Sequence, residues 1–249
     1  MKEHLDTIPV LEAFEKESEC AFCALFHKAD TDTMRYLLGA AYMEEDVRDS
    51  TDKSGFCKQH FRQLYEGNNS LGVALILSTH MAKTERELSA LCSDEKLFGT
   101  KKGLFSKPEQ SAMEQKLEEM QDSCFACERI TKRMENYLAS FFHLWSTEKE
   151  FQAQVLAGKG FCLPHFRELL QAGKMHLSGE NYRTFAGQVT TLVLDNLKRV
   201  REDVLWLIDK YDYRYKDEPW KNAKDSVPRG ILKICACETM MENAEENKS

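Results

Sequence analysis

Eight residues of this chain carry soft or borderline donor atoms at spacings that suit a divalent cation: Cys20, Cys23, Cys57 and His60, then Cys124, Cys127, Cys162 and His165. Two cysteines separated by two residues, at a turn entering a helix, can aim both sulfurs at one ion. A Cys-x-x-His on a helix puts sulfur and imidazole at i and i+3, on one face. Three thiolates and one imidazole make a complete tetrahedral set for zinc. A lone Cys-x-x-Cys can also be a pair of buried apolar cysteines. Two of them, followed after 33 and 34 residues by a Cys-x-x-His, point to metal instead.

The frames around these ligands repeat. Gly55-Phe56-Cys57-Lys58-Gln59-His60-Phe61-Arg62 answers Gly160-Phe161-Cys162-Leu163-Pro164-His165-Phe166-Arg167, at an offset of 105 residues, and the Cys-x-x-Cys pairs lie 104 apart. Self-similarity at a fixed offset implies a duplication. The expectation is that each half supplies one site: Cys20, Cys23, Cys57 and His60 for the first ion, and Cys124, Cys127, Cys162 and His165 for the second. Helix N-termini would add partial positive charge beside the thiolates. Zinc suits a closed Cys3His set without redox chemistry, and an iron–sulfur cluster is the rival.

These sites need helices to position them. Val189, Leu192, Val193, Leu197, Val200, Val204, Leu207, Ile208 and Tyr211 recur at three- and four-residue steps and predict a long amphipathic helix. Leu71, Leu75, Met81, Leu88 and Leu91 do so more loosely. No segment alternates with the period of two that a half-buried strand requires. The expected fold is all-α: two duplicated helical halves, each built around a Cys-x-x-Cys…Cys-x-x-His site and packed through its longer helix. In each half a lead-in helix comes first, with Thr7 as N-cap and Pro9 just inside it in one, and residues 109–121 in the other. Helices over 24–40 and 128–145 follow the Cys-x-x-Cys pairs. The charged stretch 43–49 reads as a connecting loop. The domain boundaries follow as residues 1–92, a linker at 93–108 containing Lys101 and Lys102, residues 109–215, and a C-terminal extension at 216–249 with a short helix over 227–242.

Composition narrows the function. A net charge of −7 and pI near 5.6 argue against a surface made for nucleic-acid phosphates. The start Met1-Lys2-Glu3-His4-Leu5-Asp6 lacks the apolar core of a secretory signal, and no run of about 20 apolar residues could span a bilayer. A reducing cytoplasm is the expected compartment, where spaced cysteines are ligands or redox groups more often than disulfides. The nine cysteines are an odd number, which excludes a fully paired framework. Cys92 reads as a small buried apolar residue, His27 as a helix-surface or supporting histidine, and His80 and His143 as structural. Cys235 and Cys237 lack a nearby histidine. There is no Gly-rich phosphate loop, no Gly-x-Ser-x-Gly elbow and no His-Glu-x-x-His, so no catalytic residue is singled out.

Thr7-Ile8-Pro9, the first Cys-x-x-Cys, Tyr42-Met43-Glu44 with Asp46-Val47-Arg48, and both Gly-Phe-Cys-x-x-His-Phe frames together resemble an uncharacterised bacterial family, over a span reaching about Trp220. The resemblance implies a bacterial cytosolic protein of unknown function. Some members of that family are labelled ABC transporter substrate-binding protein, which the polar start of this chain does not support. The functional expectation is a non-enzymatic, zinc-stabilised scaffold with two ions that binds another protein. The alternatives are a thiol- or iron–sulfur-based sensor and an enzyme whose site has no recognised motif.

Overall fold

The computed structural model describes residues 7–92 and 110–236. The linker expected at 93–108, Cys237 and the end of the C-terminal extension lie outside the described residues. The fold is all-helical, and no strand occurs among the described residues. In chain order the helices are α1 (Thr7–Glu15), α2 (Ala21–Leu38), α3 (Glu45–Ser54), α4 (Lys58–Glu66), α5 (Ser70–Leu91), α6 (Ala112–Asp122), α7 (Phe125–Thr147), α8 (Lys149–Ala157), α9 (Leu163–His176), α10 (Gly179–Asp209) and α11 (Ser226–Cys235). A lead-in helix, a helix opened by Cys-x-x-Cys, a short helix, one opened by Cys-x-x-His and a long helix thus occur in that order twice.

Local chemistry explains several boundaries. Ser111 and Glu114 form a capping box at the start of α6, each satisfying the other's backbone N–H. Pro164 stands in the first turn of α9, where its missing N–H costs nothing. The stretch read as a connecting loop is instead a 3-10 turn, Ala41–Met43, followed by α3. Glu45 and Asp46 in the first turn and Lys53 in the last complement the helix dipole. Charge content alone hid this helix.

The chain divides into two compact units, Met1–Lys28 with Arg133–Ser249, and Ala29–Lys132. Each unit draws on both halves of the sequence, so the units do not coincide with residues 1–92 and 109–215. The division falls inside α2 and α7.

In the discontinuous unit the core is aromatic. Phe141 on α7 lies 5.5 Å from Phe14, 5.5 Å from Phe22, 5.6 Å from Phe151 and 6.2 Å from Phe185, between ring centroids. These largely edge-to-face contacts suit the ring quadrupoles. Helix α10 lays Phe185, Val189, Val193 and Val200 into this core. The predicted stripe stops short, because Ile208 and Tyr211 at its end are 60% and 87% exposed. Helix α11 packs on α10 and α9.

In the other unit Leu37, Val47, Phe56, Leu64, Ile76 and Ala126 form the core. Only Gly72 and Ile76 of α5 are buried, and the predicted stripe residues Leu71 and Met81 are exposed. Cys92, expected to be buried, is exposed at the end of α5, its thiol donating to the Leu88 carbonyl.

Candidate metal centres

Each of the eight donor residues sits at or beside the first turn of a helix. Cys20 immediately precedes α2, and Cys124 immediately precedes α7. Cys57 and Cys162 are the N-cap residues of α4 and α9, so His60 and His165 lie one turn inside. Glycine makes the approach to the latter pair possible. Gly55 has φ +58° and ψ −155°, and Gly160 has φ +76°. Side chains rarely adopt these conformations. The Gly55 carbonyl accepts from the backbone N–H of Phe125, which ties the α4 entry to the start of α7.

The tertiary structure gathers the eight into two groups, each of which could hold a metal ion: Cys20, Cys23, Cys162 and His165 in one, and Cys57, His60, Cys124 and Cys127 in the other. All eight expected ligands are therefore brought together, but the expected pairing is exchanged. Each Cys-x-x-Cys meets the Cys-x-x-His of the opposite half. The local pairing has the shorter loop, yet loop entropy grows only logarithmically. A roughly fourfold longer loop costs about 1 kcal/mol, less than the burial of one large side chain. Packing outweighs proximity.

Both groups have the dimensions of a tetrahedral site. The Sγ atoms of Cys20 and Cys23 each lie 3.7 Å from Sγ of Cys162, and Nδ1 of His165 lies 3.0 to 3.6 Å from the three sulfurs. In the second group Sγ of Cys57 and Cys127 are 3.9 Å apart. Nδ1 of His60 is 3.2 Å from Cys57, 3.3 Å from Cys124 and 3.4 Å from Cys127. A tetrahedron with metal–sulfur bonds of ~2.3 Å and a metal–nitrogen bond of ~2.0 Å has edges of ~3.8 and ~3.5 Å. A disulfide would bring two sulfurs to ~2.05 Å. The donors are spaced for a shared cation.

The surroundings of the two histidines differ. Nε2 of His60 lies 3.1 Å from Oδ1 of Asp30, whose other oxygen accepts from Gln63 at 2.6 Å. A carboxylate on the far nitrogen orients the ring and fixes which nitrogen faces the sulfurs. At the 104-residue offset, Met134 stands where Asp30 does. Asp30 carried no motif of its own in the sequence. Its place seven residues after Cys23 identifies it only once α2 and α4 are seen together. Burial differs too: all four donor residues of the first group are buried, whereas in the second Cys57 is half-buried and Cys127 exposed. His27 belongs to neither group. His80 packs against Gly55, with Nδ1 on the Asp52 carbonyl.

Electrostatics favours a cation at both places. Burial opposes ionisation of Cys20, but hydrogen bonds with Cys162, Cys23 and His165 hold its thiol well below the usual range. The hydrogen bonds with Cys162 and Cys20, together with burial, push Cys23 the other way. In the second group burial is outweighed by His60 and the backbone at Cys127, bringing Cys124 to about 6. Burial and the Cys124 charge push Cys127 up to about 12. Burial works against the His60 imidazolium, yet Asp30 and Cys124 raise it to about 10. Burial likewise opposes His165, and Cys162 and Cys20 raise it to about 10. With protons as the only counter-charge, Cys23 in one group and Cys127 in the other are held as thiols, and a divalent cation would supply the charge that releases them.

The fold and these sites define an all-helical protein with two Cys3His groups, each drawn from both halves of the chain. It belongs to a family of unknown function, DUF6062, whose model matches residues 1–241. The match extends past Trp220 and includes α11. No curated protein and no solved structure matches the chain.

Proposed function

We propose that this protein is a helical scaffold stabilised by two zinc ions, each bound by three cysteines and one histidine, that presents its surface to another protein. The observation that carries the reading is the donor geometry: in each group three sulfurs and one imidazole nitrogen stand at the edge lengths of a single tetrahedron. Four protein donors complete the zinc shell and leave no position for a substrate, which is the hallmark of a structural site. Zinc brings the charge and fixed geometry, and the chain's residues hold the helix starts around it.

A protein partner fits the surface better than a nucleic acid does, since the net charge is −7. Leu194, Leu205 and Ile208 recur on one face of α10 and are exposed, the kind of surface a protein partner covers. No described helix is long and apolar enough to cross a membrane. The free thiols suit a reducing cytoplasm.

Metal analysis of protein purified anaerobically without added metal tests the reading, together with an absorption spectrum. The expected result is two zinc ions per chain and no visible absorption. Iron with visible absorption replaces the zinc scaffold by an iron–sulfur protein. A well-folded protein that holds neither metal overturns the metal reading altogether.

The exposed Cys127 favours a second reading, a thiol-based sensor at the second site. There the sulfur can meet an oxidant while the first site stays shielded. Under mild peroxide, a sensor releases one ion well before the other. Simultaneous loss of both excludes it.

A further inference from the structure

A buried lysine on α11 holds the backbone on either side of the first metal site. Lys233 is 1% exposed, and its ammonium has three hydrogens to place. One goes to the Glu19 carbonyl at 2.6 Å, one to the Lys159 carbonyl, and the third faces Oε2 of Glu19 at 3.2 Å. Glu19 is the residue before Cys20. Lys159 is three residues before Cys162, joined to it through Gly160 and Phe161. The two anchored carbonyls therefore belong to the two turns that deliver the first site's sulfurs.

The lysine is itself held in a balanced group of charges. Arg199 and Arg229 face the Glu19 carboxylate, and Arg229 is bound at 2.9 Å by Asp203 and at 3.0 Å by Asp225. Its Nε donates to Asp225, and its Nη2 donates to the Asn222 carbonyl. A buried ammonium without partners would be expelled or neutralised. Burial lowers the Lys233 pKa, and the Glu19 carboxylate and the Cys20 sulfur oppose that effect. A zinc ion with three thiolates carries one net negative charge, which an ammonium beside the turn offsets.

We propose that Lys233 is the positioning residue of the first metal site, so that cation binding by Cys20, Cys23, Cys162 and His165 and docking of α11 stabilise one another. The inference rests on the metal reading above and adds that the C-terminal helix belongs to the site. Coupling of this kind is reciprocal: whatever docked α11 adds to cation affinity, the cation adds to helix docking. The second site, whose ligands lie in the other compact unit, is the internal control.

The test uses the full chain loaded with cadmium-113, whose two NMR resonances are assigned with His165→Ala and His60→Ala. Competition with a chelator then gives the affinity of each site in the wild type, in Lys233→Met and in Ile234→Ser on the exposed side of the same helix. Lys233→Met is expected to weaken the first site about 10–100-fold, the range typical of residues that support metal ligands. The second site and Ile234→Ser stay as in the wild type. Unchanged first-site affinity, or equal loss at both sites, overturns the proposal. Should Lys233→Met fail to fold, hydrogen exchange on the wild type decides. Stripping the cation is expected to speed exchange in α11 about tenfold while the buried segment of α10 around Val193 stays protected. Exchange in α11 that ignores the cation overturns the proposal. A wild type that takes up no cadmium overturns the metal reading and this inference with it. A wild type that takes up two ions but whose first site ignores Lys233 overturns the inference alone.

Discussion

The sulfur of Cys20 lies 3.7 Å from that of Cys162, although 142 residues separate them in the chain. Cys57, in the same half as Cys20 and much nearer in sequence, belongs instead with Cys124 and Cys127. The exchange makes each site a clasp between remote segments, and it has a direct signature in stoichiometry. Cys20→Ser combined with His165→Ala removes two donors from one site and leaves one tightly bound ion per chain. Cys20→Ser combined with His60→Ala damages both sites and leaves none. Metal analysis after gel filtration distinguishes the exchanged pairing from the local one, for which the two results are reversed.

Asp30 orients His60, and no carboxylate occupies the matching position near His165. Asp30→Asn is therefore expected to weaken the second site about 10–100-fold and leave the first untouched. Chelator competition reads the two affinities separately, and a loss shared by both sites contradicts the assignment.

Cation binding is expected to release protons. Near pH 7.5, His60 and Cys127, with pKa values of about 10 and about 12, still hold theirs, while Cys124, at about 6, has lost its own. The second site should give up at least two protons per ion, and its affinity should fall as the pH is lowered. Calorimetry of zinc binding in buffers of different ionisation enthalpy measures the number. Zinc uptake without proton release contradicts the electrostatics described above.

Gly55 combines a positive φ with an extended ψ, and a Cβ there would meet the His80 ring at 2.8 Å. Gly160 shares the positive φ, but a Cβ would meet nothing closer than the Leu192 carbonyl at 3.4 Å. Gly55→Ala should destabilise the protein by about 1–3 kcal/mol, and Gly160→Ala by less. Thermal denaturation of the two metal-loaded variants gives the order.

Phe141 stands at the centre of the aromatic core and is fully buried. Phe141→Ala should cost about 3–5 kcal/mol, read by denaturant unfolding. Tyr211→Ala, at a position the periodicity placed on the same apolar stripe as Val200, should cost almost nothing because the ring is exposed.

Much of this protein is set by residue type and short spacing. Cys-x-x-Cys and Cys-x-x-His place donors within one helical turn, so the eight candidate donors could be named without a fold. Three- and four-residue periodicity makes the long helices legible for the same reason, since both signals are local. Which donors stand together in one group was not local. Two nearly identical frames compete for two partners, and the loop-entropy difference between the pairings is about 1 kcal/mol. Packing decided it: Phe22 beside Cys23 lies 6.0 Å from Phe161 beside Cys162, and Lys233 ties Glu19 to Lys159. Asp30 and Lys233 gain their roles in the same way. A carboxylate or an ammonium acquires a specific partner only when the fold removes both from water and brings them within hydrogen-bond reach.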